Sequence, residues 1–508
     1  MSQRALHSWL IAALLFVSYL YVLPRWSDWN QNSRLNLVLA VVDDGTVSID
    51  RYVANTGDYA LYNGRTYTDK PPGLSFLAIP FYLVLSPVLD HPAVATRAQS
   101  LGDGAAMSTT LNEEGSGLRE DKVHYALVQY LMTVLVVALP AAILGALLFL
   151  AMRGSGISPI PAALTTLAYG LGTAAAPYAG NFYSHQLVAT LLFGAFCVAW
   201  RPWEQAQNTA TPPRASWVSG VLCGLLLGWA VISEYPSVLP GTVIGLYALW
   251  RQGWRWLPAL LVGGIIPGAL LITYDLVAFG TPWPIGYAHS ALWQDQHQTG
   301  FMSLTYPRPE SLWGLAFSPF RGLFIRAPWL LLALPGFVFW WRSGRLRAEW
   351  WVGLFAVVTM YLFYGSSIMW WGGFAAGPRY IVPLIPFLAL AAGWAVERAF
   401  ATTATRVATT GLIVLSVILT WTEATSGQLF PPDDNRNPWL TYVVPAWQQG
   451  DIARNLGMAL GLQGAMSLLP LVAFVSLGLM LLFLSLRQTR PRWPAFVPTG
   501  RRNRSAEG

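Results

Sequence analysis

The sequence predicts an all-α polytopic membrane protein with about twelve transmembrane helices, and three observations carry that prediction. Of 508 residues, 54% are hydrophobic and 11% charged, and the mean hydropathy is positive; so apolar a chain does not fold as an ordinary water-soluble globule. Apolar runs of near-spanning length recur from end to end. The arginines cluster between alternate runs, which is the positive-inside pattern, so the net charge of +7 does not signal a nucleic-acid partner.

The first run, 9–24, follows Arg4 and lacks a small-residue cleavage site before Arg25, so it reads as an uncleaved first helix. Residues 25–122 are polar enough to lie outside the bilayer, except for 74–89, which is short, bracketed by proline and expected to lie along the interface. This first loop holds 12 of the 24 Asp and Glu residues. Its 91–121 part, rich in Gly, Ser and charge, predicts a loop without a fold of its own. Further spans are expected at 125–152, 159–178, 186–200, 217–232, 237–250, 257–279, 323–341, 351–364, 381–396, 407–421 and 466–486. Arg153, Arg201, Arg214, Arg251, Arg255, Arg342, Arg345, Arg347, Arg398, Arg406 and the basic 487–508 tail then share one side, which places both termini in the cytoplasm. Cys197 and Cys223 sit inside apolar runs and read as packing residues.

On the opposite face lie 25–122, 280–322 and 423–461, and any chemistry is expected there. Polar residues interrupt the apolar helices near that face: His185, Glu234 with Tyr235 in SEYP, Asp275, Arg321 and Arg326 in SPFRGLFIRAPW, and Arg379 in GPRY. Helix-end charges often snorkel to the interface, but five segments converging opposite an acidic loop point to a shared polar cavity. Carboxylates facing arginines and a lysine suit transfer of a group from a lipid phosphate, the carboxylate taking a proton and the cations stabilising the departing phosphate. Lys70 and Lys122 are the two lysines, so Lys70 in TDKPPG suggests a position where a compact ammonium is wanted.

VDDGTVSID followed by NTGDYALYNGRTYTDKPPGLSFLAIPFY resembles the first outer loop of the GT-C class of membrane glycosyltransferases, in the protein-mannosyltransferase-like and aminoarabinose-transferase-like bacterial branch. FYSHQLVATLLFGAF, SEYPSVL, SPFRGLFIRAPWLL and WWGGFAAGPRYIVPLIPF resemble bacterial members of the same superfamily. The resemblance implies a GT-C fold with juxtamembrane helices in the first loop, and an inverting single displacement at the extracytoplasmic face of a bacterial inner membrane. It implies Asp43 as the base, with Asp44 its rival because the relatives' Asp-Glu is Asp-Asp-Gly here, and Lys70 on the phosphate of a polyprenyl-phosphate sugar donor. Arg379, Arg321 and Arg326 join Lys70 on charge logic.

Asp58 and Asp69 would bind sugar hydroxyls or orient the loop, and both also suit plain turns. A phosphate leaves without a paired acid, so one carboxylate suffices. No cofactor is required, although Mg²⁺ or Mn²⁺ between Asp43, Asp44 and a phosphate is compatible with oxygen ligands. His289, Asp295 and His297 make a weak metal set, and Trp283, Tyr287, Trp293, Tyr306, Trp370 and Trp371 are the aromatics on the reactive side. The acceptor can be lipid, glycan or protein. A multi-pass transporter, or a polymerase or ligase using lipid-diphosphate glycans, are the competing readings; against the transporter stand the absence of an internal repeat and of charged helices at mid-membrane depth.

Overall fold

A computed structural model describes residues 3–25, 28–102, 122–205, 216–282, 286–300 and 303–488. The chain is overwhelmingly helical, and among the described residues seven helices are long and apolar enough to cross a membrane: Gln3–Tyr21, Lys122–Gly154, Trp254–Phe279, Arg347–Gly365, Arg379–Ala399, Thr403–Ala424 and Gly464–Arg487. Gly73–Leu89, Ser184–Trp200 and Trp217–Ser233 are shorter and equally apolar. The expected 323–341 span is broken, because Pro328 ends a four-residue helix and a 3₁₀ turn intervenes before Ala333–Arg342. Most of the expected 91–121 loop and of the 487–508 tail lies outside the described residues; the described start of the loop is a helix, Pro92–Gly102.

Leu261, Ile265, Val277, Leu477 and Leu481 are each more than half exposed on these helices, as surface facing lipid must be. Helix-to-helix contact relies on small residues. A Cβ on Gly224 would fall 2.0 Å from the Leu260 carbonyl oxygen, and one on Gly263 would fall 2.0 Å from that of Val221, so helices Trp217–Ser233 and Leu257–Phe279 touch backbone to backbone.

The first loop contains more structure than its polarity suggested. After α1 (Gln3–Tyr21), a second helix, α2 (Trp29–Asp43), opens at Asp28, whose carboxylate accepts the Gln31 amide as an N-cap. α2 lacks a lipid-compatible face, yet Asn30, Gln31, Asn32, Ser33, Arg34 and Asn36 are buried on it. They are buried because they are bonded: Asn32 donates to Asn55 O at 2.9 Å, Asn36 to Asn55 Oδ1 at 2.8 Å, Gln31 to Arg25 O at 3.1 Å, and Ser33 meets the Thr68 hydroxyl at 2.7 Å. α2 is thus the polar spine on which the outer layer is assembled.

That layer includes a hairpin, β1 (Tyr59–Tyr62) and β2 (Arg65–Thr68), paired antiparallel with Tyr59 opposite Thr68. Asn63 and Gly64 make the two-residue turn, with φ of 49° and 73°. The register sets Asp58, one residue before β1, beside Asp69 and Lys70, just after β2. Pro71 and Pro72 then stop the strand, and α3 (Gly73–Leu89) begins, exposing Leu83, Val84 and Val88.

Candidate active site

A cavity of about 670 Å³ opens beneath the hairpin. Its polar wall takes Asp28 and Arg34 from α2, Asp58 and Lys70 from the two ends of the hairpin, His185, Glu234 and Arg379 from helix ends, and Tyr183, Tyr235, Tyr287 and Tyr380. Val238, Leu239, Phe363, Met369, Phe374 and Leu429 supply apolar wall, and Asn30, His297, Ser303, Ser367 and Asp433 add further polar groups.

Lys70 is held between two carboxylates, Nζ lying 3.0 Å from Asp58 Oδ2 and 3.2 Å from Asp69 Oδ1. Trp293 Nε1 donates to Asp58 at 3.3 Å, and the Ser290 hydroxyl donates to Asp69 at 2.9 Å. Burial pushes the Asp58 carboxyl up, but the Lys70 ammonium and Arg379 outweigh it and hold the group below the usual carboxylate range. Asp69 goes the other way, raised by burial and by the neighbouring Asp58 charge against the pull of Lys70. Burial opposes the Lys70 charge, yet the two carboxylates win and its pKa rises.

Asp28 lines the same cavity. Its Oδ2 accepts the Tyr183 hydroxyl at 2.6 Å, and Arg379 Nη1 donates to the same hydroxyl at 3.3 Å. Burial raises the Asp28 carboxyl pKa, against the Tyr183 bond and the Arg379 charge. Arg379 is buried over the rings of Tyr183 and Tyr380, 5.3 Å from each centroid; its Nε lacks a hydrogen bond, and it forms no ion pair with a described carboxylate. Of the three cations in the wall it alone makes no direct ion pair, since Lys70 has Asp58 and Asp69 and Arg34 has Glu234 at 3.1 Å.

The cavity therefore brings together Lys70, Asp58, His185, Glu234, Tyr235 and Arg379 from the expected set, with Asp69 directly behind Lys70. Others fall elsewhere. Asp43 ends α2, about 22 Å along the helix from Asp28 by the α-helical rise, where it accepts the Tyr82 hydroxyl at 3.1 Å. Asp44 pairs with Arg51 at 2.8 Å on the surface, and neither aspartate lines the cavity. Arg321 spends its guanidinium on the carbonyls of Trp371, Ala375 and Gly373, at 3.0, 2.8 and 2.6 Å, clamping the loop before GPRY. Arg326 is paired with Glu423, and Asp275 lies buried outside the cavity wall. Tyr287, Trp293 and Trp371 line the cavity, Tyr306 and Trp370 do not, and Trp283 lies outside the described residues.

Among the described residues, no group of three or more His, Cys, Asp and Glu side chains is placed to hold a metal ion. His297 lines the cavity near Lys70, and burial together with that ammonium lowers its pKa to about 4.

Sequence reasoning missed Asp28, Arg34 and Tyr183. Asp28 carried a legible signal, an acid directly after the first apolar run with helix-compatible sequence following it. Asn-Gly between two short β-prone runs likewise announced the hairpin that gathers Asp58, Asp69 and Lys70.

No family model and no curated protein matches the chain. The fold is similar to the crystal structure of ArnT from Cupriavidus metallidurans in the apo state, with a TM-score of 0.42 and 18% sequence identity over 95% of this chain and 75% of that one.

Proposed function

We propose that the protein is a membrane glycosyltransferase that moves a sugar from a polyprenyl-monophosphate carrier to an acceptor hydroxyl. The observation that carries this reading is the presence, in one cavity, of a half-buried carboxylate, Asp28, and a guanidinium without a direct ion pair, Arg379, beside an apolar lining. Asp28 takes the role that the sequence resemblance assigned to Asp43 or Asp44, because those two stand at the far end of α2.

In this mechanism the acceptor hydroxyl gives its proton to Asp28, and its oxygen attacks the anomeric carbon. The bond from that carbon to the phosphate oxygen breaks with inversion, and the electron pair leaves on the lipid phosphate. Arg379 supplies the positive charge for that phosphate, and Lys70, shared with Asp58 and Asp69, donates a hydrogen bond to it. The raised Asp28 pKa makes it a better base than a solvated carboxylate, while the Tyr183 hydroxyl fixes its orientation. Val238, Leu239, Phe363 and Met369 receive the prenyl chain.

The test is transfer of radiolabelled sugar from synthetic polyprenyl-phosphate sugars in membranes carrying the wild type or single variants. Asp28→Asn preserves size and helix capping, and is expected to lose about 10²–10⁴-fold in transfer with donor binding intact. Asp43→Asn and Asp44→Asn should stay within about twofold. Transfer that survives Asp28→Asn, or a wild type inert toward every donor, overturns the proposal.

A further inference from the structure

Beside Arg379, which lies over the same Tyr183 and Tyr380 rings, the cavity wall holds an imidazole without a hydrogen bond. His185 is 2% exposed, and neither Nδ1 nor Nε2 has a hydrogen-bond partner. Burying a polar group unpaired costs about 1–3 kcal/mol, so a site that keeps one has a partner in mind. The ring is held in place by aromatics: it stacks on Tyr183 at 5.9 Å and 22°, and meets the edges of Tyr178 and Tyr380 at 6.0 and 5.7 Å.

Glu234 is its neighbour, with Oε1 3.5 Å from His185 Nδ1. Oε1 is already occupied, accepting Arg34 Nη2 at 3.1 Å and the Ser184 hydroxyl. Arg34 is anchored in turn by Asn30 Oδ1 at 3.1 Å and the Pro71 carbonyl at 2.9 Å. Glu234 is thereby locked in one rotamer, while its second oxygen takes no hydrogen bond from a described residue. The charges of Arg34 and Glu234 cancel, so the pair offers directed acceptors and donors with no net field. Neither a phosphate nor an ammonium gains net attraction from such a pair, whereas an uncharged polyol needs only its hydrogen bonds.

From this geometry we infer that His185 and Glu234 form the subsite for the transferred sugar, taking a neutral sugar ring through adjacent hydroxyls. One hydroxyl donates to the free Glu234 oxygen, a neighbour exchanges a hydrogen bond with the imidazole, and the rings of Tyr235, Tyr287 and Tyr380 border the apolar face of the sugar. Arg34 acts as a positioning residue, tying the subsite to the backbone beside Lys70. The inference rests on the glycosyltransferase reading and places the sugar directly beside the Arg379 phosphate site.

The experiment is a binding titration of the purified full chain in detergent, read by tryptophan fluorescence from the cavity-lining Trp293 and Trp371. The probes are farnesyl phosphate and farnesyl phosphate carrying mannose, glucose or galactose. The wild type should bind at least one glycosylated probe about tenfold tighter than the bare lipid phosphate. His185→Phe, which keeps the aromatic stacking and removes both nitrogens, should reduce that ratio to about twofold or less, while bare-phosphate affinity stays within about twofold. Glu234→Gln should also collapse the ratio; if Arg34 left without its partner unfolds that variant, deoxy-hexosyl probes on the wild type replace it. There, removing a single hydroxyl should cost the preference, and deoxy probes that all bind as well as their parents refute the subsite. A His185→Phe protein that keeps the full ratio, or a wild type with no preference for any sugar, overturns the inference while leaving the donor reading standing. A wild type that binds neither kind of lipid phosphate removes both.

Discussion

Replacing Lys70 by methionine tests the centre of the hairpin's role. Its ammonium lies 3.0 and 3.2 Å from two carboxylates, with the Asp69 side chain fully buried and those of Lys70 and Asp58 about nine-tenths so. At an effective dielectric of about 20, each contact represents about 5 kcal/mol of gross attraction, most of it offset by desolvation of the three charges. Removing the ammonium leaves two carboxylates side by side at the open end of β1 and β2, and breaking a buried ionic cluster in this way costs about 3–5 kcal/mol. The pH dependence is a sharper signature. With Lys70 present, the depressed Asp58 carboxyl contributes stability above its unfolded value of about 3.9 that is lost only as the pH falls through its lower folded value. Without Lys70 both carboxyls are raised, and each then costs stability at neutral pH that protonation relieves. The deficit of Lys70→Met relative to wild type should therefore be largest near pH 7 and shrink toward pH 5. The assay is thermal unfolding of the two proteins in detergent across that range, with retention of monodisperse protein as the readout. A variant that melts with the wild type at pH 7, or whose deficit ignores pH, refutes the reasoning that the cage is a charged structural unit.

Two further outcomes follow from the same geometry. Arg379→Gln deletes the one wall cation without a direct ion pair and should weaken binding of farnesyl phosphate by about tenfold or more; unchanged affinity in a titration would remove Arg379 from the phosphate site. Gly64→Val forces a β-branched residue into φ of 73° at the hairpin turn, with open space around it, so the penalty of about 1–2 kcal/mol is purely conformational. Because the turn sets the register that joins Asp58 to Asp69 and Lys70, sugar transfer should drop several-fold more than the corresponding Gly45→Val control, a glycine at φ of 64° outside the hairpin.

The class of this protein was legible from composition and periodicity alone. Hydropathy and arginine placement depend on residue counts along the chain, and a bilayer reads those counts directly, so the helical membrane frame followed without tertiary information. Arg379, His185 and Glu234 were also recognisable as charged or polar residues where such groups are costly, and Lys70 as one of two lysines, and the cavity does collect them. What the one-dimensional pattern could not decide was which acids stand near them. Asp43 and Asp44 are singled out by the likeness of VDDGTVSID to an outer-loop motif, which treats 29–43 as something other than a buried helix. Its asparagines, serine and arginine disguise it as loop, and only the partners on Tyr52, Asn55, Thr68 and Pro71 make burying that polar helix affordable. Once α2 forms, it carries Asp43 a helix length away from Asp28, which stands in the cavity wall. Arg321, Arg326 and Asp275 make the same point from the other side. A charged residue at a helix end carries no mark of whether it faces a cavity, a loop carbonyl or an internal partner, because that depends on where distant segments pack, which is settled only by the folded chain.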